Sequence, residues 1–272
     1  MPVADPARQQ RKARAFASLH EGEPFVIPNP WDAGSARVLD ALGFRALATT
    51  SSGFAFTLGR PDGSVTLHET VEHVTELDHA TELPISVDLE NGYGADPEAA
   101  AVAVRRAAEA GAVGGSIEDY DRERRVLYDR GHAVERIVAA VEAARGVPFR
   151  FMLTARAENH IRGVSDLNDT IARLQAFEDA GADVLYAPGL AEPDQIRALC
   201  ESVSRPVNVL TRPSLSLAQI VEAGAQRVSV GGSLTWVAVR ALADAATAIR
   251  DSGDLSVLGA RPPLDEWLAP RA

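Results

Sequence analysis

Apolar positions along the chain follow two alternating periods. Short runs rich in β-branched and aromatic residues recur at regular intervals. Between them lie longer Ala-rich stretches in which apolar residues return every three or four positions. The first stretch predicts a helix over about 6–20, with Phe16 and Leu19 on one face and Arg and Lys on the other. Strands are predicted over 25–27, 46–49, 85–87, 115–117, 151–153, 184–186, 207–209 and 228–230. Helices are predicted over 33–42, 66–80, 97–110, 132–145, 165–180, 192–201, 217–223 and 234–251. Thr66 with Glu69 has the spacing of a capping box, and Asp96-Pro97 places a capping residue before a proline at the first helical position. The phrases E-A-G-A, D-A-G-A-D and E-A-G-A-Q precede the fourth, sixth and eighth strands. Each closes a helix on Gly and turns at once into the strand.

Eight strand–helix repeats without a break in composition predict a (β/α)₈ barrel over residues 1–272, one domain with an N-terminal helix and a tail from about 253. An open doubly wound sheet is the other arrangement of such repeats. It is disfavoured because Pro28-Asn29-Pro30, not a Gly-rich phosphate loop, follows the first strand.

In a barrel the C-terminal strand ends share one mouth, where chemistry is done. Here those ends carry Trp31, Asp32, Ser51, Ser52, Asp88, Glu90, Glu118, Asp119, Arg156, Glu158, Asn208 and Ser233. The opposite ends carry Pro84, Pro148 and Pro206. The asymmetry points to an enzyme. At its centre is L-P-I-S-V-D-L-E-N-G-Y-G (83–94), where two carboxylates follow a buried strand and Asn91 and Gly92 open a loop. Asp88, Glu90 and Glu118 can converge on a divalent cation. With no Cys or His beside them, such oxygen ligands suit Mg²⁺ or Mn²⁺ rather than zinc. Arg156 can grip a carboxylate, and Ser51, Ser52 and Gly53 offer hydroxyls and backbone N–H groups to an anion. A small α-oxo acid suits that set. The alternative is a lattice of salt bridges across the mouth, and the Glu118–Arg156 pair fits either account.

Charge narrows the partners. A net charge of −11 and a pI near 5.0 argue against nucleic acid and anionic membrane surfaces, and any anionic substrate then needs a local cationic site. The single cysteine, Cys200, rules out an intrachain disulfide and reads as a helix residue in a reducing compartment. No apolar stretch is long enough to span a bilayer, and the polar N-terminus lacks a signal-peptide core, so a cytoplasmic location is expected.

Seven segments together resemble the isocitrate lyase / phosphoenolpyruvate mutase superfamily: P-N-P-W-D-A (28–33), T-T-S-S-G-F-A (49–55), G-R-P-D (59–62), V-D-L-E-N-G-Y-G (87–94), G-S-I-E-D (115–119), T-A-R-A-E (154–158) and P-V-N-V-L (206–210). The resemblance covers nearly the whole chain. It implies a (β/α)₈ barrel, Mg²⁺ (or Mn²⁺), an enolpyruvate-like intermediate, and a homodimer or homotetramer that swaps its eighth helix. It places the metal on Asp88, with Glu90 and Glu118 acting directly or through water. Ser51, Ser52, Gly53, Arg156 and Asn208 hold the carboxylate and oxyanion, and Asp62 matches a functional aspartate of some members.

The chain also departs from the family. Its carbon–carbon lyases carry K-[KR]-C-G-H on the loop after the fourth strand, where the Cys serves as an acid. Here the region reads E-D-Y-D-R-E-R-R-V-L-Y-D-R-G-H, without Cys. Arg122, Arg124 and Arg125 either supply positive charge there or are solvated. Tyr120 and Tyr128 are proton-donor candidates or loop packing, and Trp31 walls the pocket or belongs to the core. The expected function is an Mg²⁺-dependent lyase or decarboxylase on a small 2-oxo or 2-hydroxy dicarboxylate. The alternatives are a phosphonate enzyme and a barrel that binds small acids without turnover.

Overall fold

The computed structural model describes residues 5–259 and 261–269. Its strands in chain order are β1 (Phe25–Ile27), β2 (Leu47–Ala48), β3 (Ile85–Asp88), β4 (Gly114–Glu118), β5 (Tyr120–Asp121), β6 (Val126–Leu127), β7 (Met152–Arg156), β8 (Val184–Tyr186), β9 (Val207–Leu210) and β10 (Arg227–Ser229). The helices are α1 (Pro6–Leu19), α2 (Ala33–Ala41), α3 (Ser51–Thr57), α4 (Leu67–Ala80), α5 (Pro97–Glu109), α6 (Arg130–Gly146), α7 (Leu167–Asp179), α8 (Pro193–Ser202), α9 (Leu217–Glu222), α10 (Ser233–Ser252) and α11 (Leu264–Trp267).

Eight parallel strands run in the order β1-β10-β9-β8-β7-β4-β3-β2 and curl into a nearly closed barrel. Between β1 and β2, the Ala48 N–H donates to the Pro28 carbonyl at 3.0 Å. Buried Asn29 adds a second tie. Its amide donates to the Thr49 carbonyl at 2.9 Å, while its Oδ1 accepts from the N–H groups of Val230 and Gly231. The polar Pro-Asn-Pro segment is therefore a seam of the barrel.

The lower end of the barrel is plugged by α1. Phe16 is fully buried among Ile27, Val113, Met152 and Val184. A Cβ on Gly114 would lie 2.7 Å from the Phe16 ring, which explains a glycine inside β4. Lys12, the only lysine in the chain, is buried and paired to Asp78 at 2.6 Å, fastening α1 to α4. Among the described residues no helix is long and apolar enough to cross a membrane.

Three features differ from the sequence expectation. The segment after β2 is a helix, α3, capped by the Thr50 hydroxyl; its Gly53 and flanking Ser and Thr hide the helical period. The irregular stretch after β4 contains an antiparallel hairpin, β5–β6. Asp96 stands at the N-cap of α5 without a side-chain capping bond, whereas Thr66 and Glu69 form the expected capping box on α4. One helix stands apart in its packing. Of all of α10, only Thr235 is buried, and Trp236, Val237 and Leu242 face outward.

Candidate active site

Strand register brings the chemistry together. In the ladders Asp88 lies opposite Ser116, Glu118 opposite Arg156, Arg156 opposite Tyr186, and Tyr186 opposite Asn208. These positions meet at the C-terminal mouth around a cavity of about 220 Å³. That volume admits a small acid rather than an extended ligand.

Asp88 is set by its backbone N–H, which donates to the Thr49 hydroxyl at 2.8 Å. Directly after it the strand breaks. Glu90 takes φ +50°, Gly92 φ +79° and Tyr93 φ +62°, so the backbone leaves the sheet there. The Glu90 N–H donates back to Asp88 Oδ1 at 3.2 Å.

Three guanidiniums thread the acidic groups. Arg156 lies 3.7 Å from Asp88 and 3.5 Å from Glu118, and donates a short hydrogen bond to Glu158. Arg122 reaches Glu90 at 3.1 Å, Glu118 at 3.1 Å and Asp62 at 3.9 Å. Arg162 reaches Glu158 at 2.7 Å and Glu118 at 3.7 Å, with its guanidinium 3.8 Å from the Tyr120 ring centre. The carboxylates of this cluster (Asp62, Asp88, Glu90, Glu118 and Glu158) outnumber its guanidiniums by two. Burial pushes Glu90 up to about 8 against the pull of Arg122, with Asp88 and Glu118 adding to the rise. Burial likewise raises Glu118 to about 7, opposed chiefly by Arg156.

Three carboxylate oxygens here, Glu90 Oε1, Glu118 Oε2 and Glu158 Oε2, are buried without a hydrogen bond, and of these Glu158 Oε2 has the Arg162 guanidinium at 2.7 Å. Orphaned buried acceptors are costly. Together with the surplus of two carboxylates, which a bound cation would hold ionised, they fit a divalent cation. Among the described residues no three His, Cys, Asp or Glu side chains converge on one point as a ready cage. A cation that takes one or two carboxylates and keeps its waters, as Mg²⁺ does, matches such a set.

The sequence-predicted residues divide into three groups. Ser51, Ser52, Asp62, Asp88, Arg156 and Asn208 line the cavity. Glu90 and Glu118 stand behind Arg122 and Arg156, almost fully buried. Trp31, Gly53, Asn91, Gly92 and Tyr120 are not on its wall. Trp31 packs behind Gly53, where a Cβ would meet Thr50, Thr235 and Trp31; Gly53 is there for close approach of α3 to α10. Asn91 bonds the Tyr128 hydroxyl at 3.2 Å, Gly92 makes room for Ala100, and Tyr120 is covered by Arg162. Two further mouth residues turn out to be structural. Asp32 caps α2 through the Ser35 N–H at 2.7 Å, and buried Asp119 pairs with Arg173 at 3.1 Å.

Sequence reading missed Arg162, Arg227, Ser86, Ser116, Tyr186 and Ser229, all of which line the cavity. The serines had a usable signal, since hydroxyls inside otherwise apolar strands need a polar interior. Of the three loop arginines, only Arg122 enters the cluster. Arg124 is exposed, and Arg125 takes φ +58° in the hairpin turn. Cys200 lies in α8 as expected, with its thiol pushed up to about 11 by burial.

A nearly closed parallel barrel with ionisable groups gathered at its C-terminal mouth defines the class of (β/α)₈-barrel enzymes. Residues 16–250 match the phosphoenolpyruvate phosphomutase family, and the chain belongs to it, within the isocitrate lyase / phosphoenolpyruvate mutase superfamily of lyases and mutases. A solved structure from Burkholderia cenocepacia J2315, provisionally described as a lyase/mutase, is 49% identical with a TM-score of 0.94, over 97% of this chain and 98% of that one. An uncharacterized protein of Mycobacterium tuberculosis H37Rv is 35% identical over 87% of this chain and 88% of its own. The oxaloacetate decarboxylase of Paraburkholderia xenovorans LB400 is 31% identical over 93% of this chain and 85% of its own.

Proposed function

We propose that the chain is an Mg²⁺-dependent carbon–carbon lyase or decarboxylase acting on a small 2-oxo or 2-hydroxy dicarboxylate through an enolpyruvate-like intermediate. The observation that carries this reading is the two-carboxylate surplus with its orphaned oxygens beside a cavity of serines, Asn208 and Arg156. Asp88, with Glu90 and Glu118 directly or through water, would hold the cation. When bound, that cation acts as a Lewis acid at the substrate's oxo and carboxylate oxygens.

The chain's own residues do the rest. Ser51 and Ser52 donate hydroxyls to the substrate carboxylate, and Arg156 balances negative charge as it moves onto the oxo oxygen. Arg122 and the hairpin it anchors cover the cavity and keep water from the enolate. No thiol or ε-amine serves the mouth, because Cys200 is in an outer helix and Lys12 is buried under the barrel. Cleavage by loss of carbon dioxide asks least of a side-chain base, so decarboxylation is the favoured branch. The relative that decarboxylates oxaloacetate agrees with it.

The test is pyruvate release from oxaloacetate, alkyl-substituted malates and phosphonopyruvate, with MgCl₂ and with EDTA. Metal-dependent pyruvate from a carbon substrate supports the reading. Conversion of a P–C phosphorus signal would make it a phosphonate enzyme, and metal-dependent oxalate binding without any product would make it a binding barrel. We further infer a homodimer or homotetramer in which the outward apolar face of α10 packs on a second copy. A monomer in light scattering would refute that.

A further inference from the structure

Beneath the cavity lies a cation that has no acidic partner. Arg227, the first residue of β10, is buried at the lower end of the barrel and reaches the cavity floor. Its Nε–H donates to Asn208 Oδ1 at 2.8 Å, and its second terminal nitrogen donates to the Thr154 hydroxyl at 2.9 Å. Its first terminal nitrogen lies 3.2 Å from His20 Nε2. His20 Nδ1 is 2.8 Å from the Phe16 carbonyl, so Nδ1 carries the proton and Nε2 accepts. Burial and Arg227 itself drive His20 down to about 3, so its ring is neutral. All three partners are thus uncharged, and among the described residues no carboxylate forms a salt bridge with Arg227.

A guanidinium has donors only. Turning the Asn208 amide over would set N–H₂ against N–H, so Oδ1 must face Arg227. One Nδ2 hydrogen then goes to the Ser229 hydroxyl at 3.0 Å. The other has no protein acceptor among the described residues, and Asn208 lines the cavity. An isolated buried charge is expensive, and a binding site is where such a cost is kept.

We propose that Arg227 is a positioning residue of the site: it locks the Asn208 amide with a donor toward the cavity, and its unpaired positive charge holds a substrate carboxylate over the floor. The mouth supplies the cation side and the floor the anion side, so the substrate's orientation is fixed along the barrel axis. This rests on the reading of the cavity as an Mg²⁺-dependent enolate site.

The experiment is calorimetric titration of MgCl₂, then of sodium oxalate at saturating MgCl₂, into the wild type, Arg227→Met and Arg227→Lys. Arg227→Met is expected to weaken oxalate about tenfold or more. Its Mg²⁺ affinity should be unchanged or tighter, since a buried positive charge has been removed. Arg227→Lys, which keeps the charge and loses the fork, should fall between the two, and it carries the test if the Met variant does not fold. Wild-type oxalate affinity in whichever variants fold overturns the proposal, as does parallel loss of Mg²⁺ and oxalate in a folded variant. Failure of the wild type to bind oxalate with MgCl₂ would instead defeat the enolate-site reading, and it appears before any variant is made.

Discussion

Two charged clusters sit at opposite ends of the barrel and are built on opposite terms. At the lower end, Asp78 receives Lys12 at 2.6 Å and Arg8 at 2.5 Å, and Arg8 also takes Glu82 at 2.9 Å. Cations equal anions, and spare donors reach the Thr81 carbonyl. At the mouth, acids exceed cations, three carboxylate oxygens lack a hydrogen bond, and Glu90 and Glu118 hold their protons toward neutrality. The first cluster is complete as it stands and fastens a helix. The second is incomplete in charge and hydrogen bonding together, and that joint deficit marks a place for a ligand.

The largest break in this contrast is Asp78→Ala, which strands Lys12 without a carboxylate. It should cost about 3–5 kcal/mol in urea unfolding and leave Mg²⁺ affinity in the folded protein untouched. A loss below about 1 kcal/mol would mean the lower cluster is not complete in the sense argued.

The mouth should respond to its missing charge. MgCl₂ at 100 times its dissociation constant should stabilise the wild type by about 2.7 kcal/mol. Asp88→Ala should erase that gain and lose turnover while keeping the metal-free stability. A variant that still gains with MgCl₂ would move the metal off Asp88.

His73 sharpens the comparison, because its Nε2 is also buried without a partner but no surplus charge accompanies it. It stacks on Phe54 with ring centres 3.9 Å apart, and burial holds it down at about 4. The unfolded chain therefore binds a proton that the folded one refuses. Stability is full above about 6.5, falls as pH drops from there toward 4, and levels off below it. His73→Phe should remove this dependence, so its stability relative to the wild type should rise by about 1.4 kcal/mol per pH unit across that window. A constant difference between pH 7 and 4.5 would show that the ring is protonated in the native state.

The smallest effect belongs to Cys200→Ser, with a cost of about 1 kcal/mol from a hydroxyl in an apolar setting and unchanged turnover. Loss of turnover would place a thiol in the chemistry after all.

Much of this was legible before folding. The strand-then-carboxylate pattern around Asp88 reads directly, because local sequence decides where a strand breaks. The eight repeats read for the same reason. What did not read were contacts between strands. Arg122 was one arginine among three until the hairpin aimed it past Gly63, whose absent Cβ would lie 2.5 Å from its guanidinium. Arg227 opens its strand, where a cation reads as surface; only the closed barrel and the α1 plug bury it. Trp31, Asn91, Gly92 and Tyr120 show the converse, since residues near a mouth in sequence pack sideways into their neighbours.

Lys12 has a further consequence for amine chemistry. An acylating reagent finds a single ε-amine in this chain, and that one lies 4% exposed beneath α1. It becomes reachable only when α1 lifts from the barrel. Its labelling rate is therefore a clock for local opening at the end of the molecule remote from the substrate, readable by mass spectrometry on the unmutated protein.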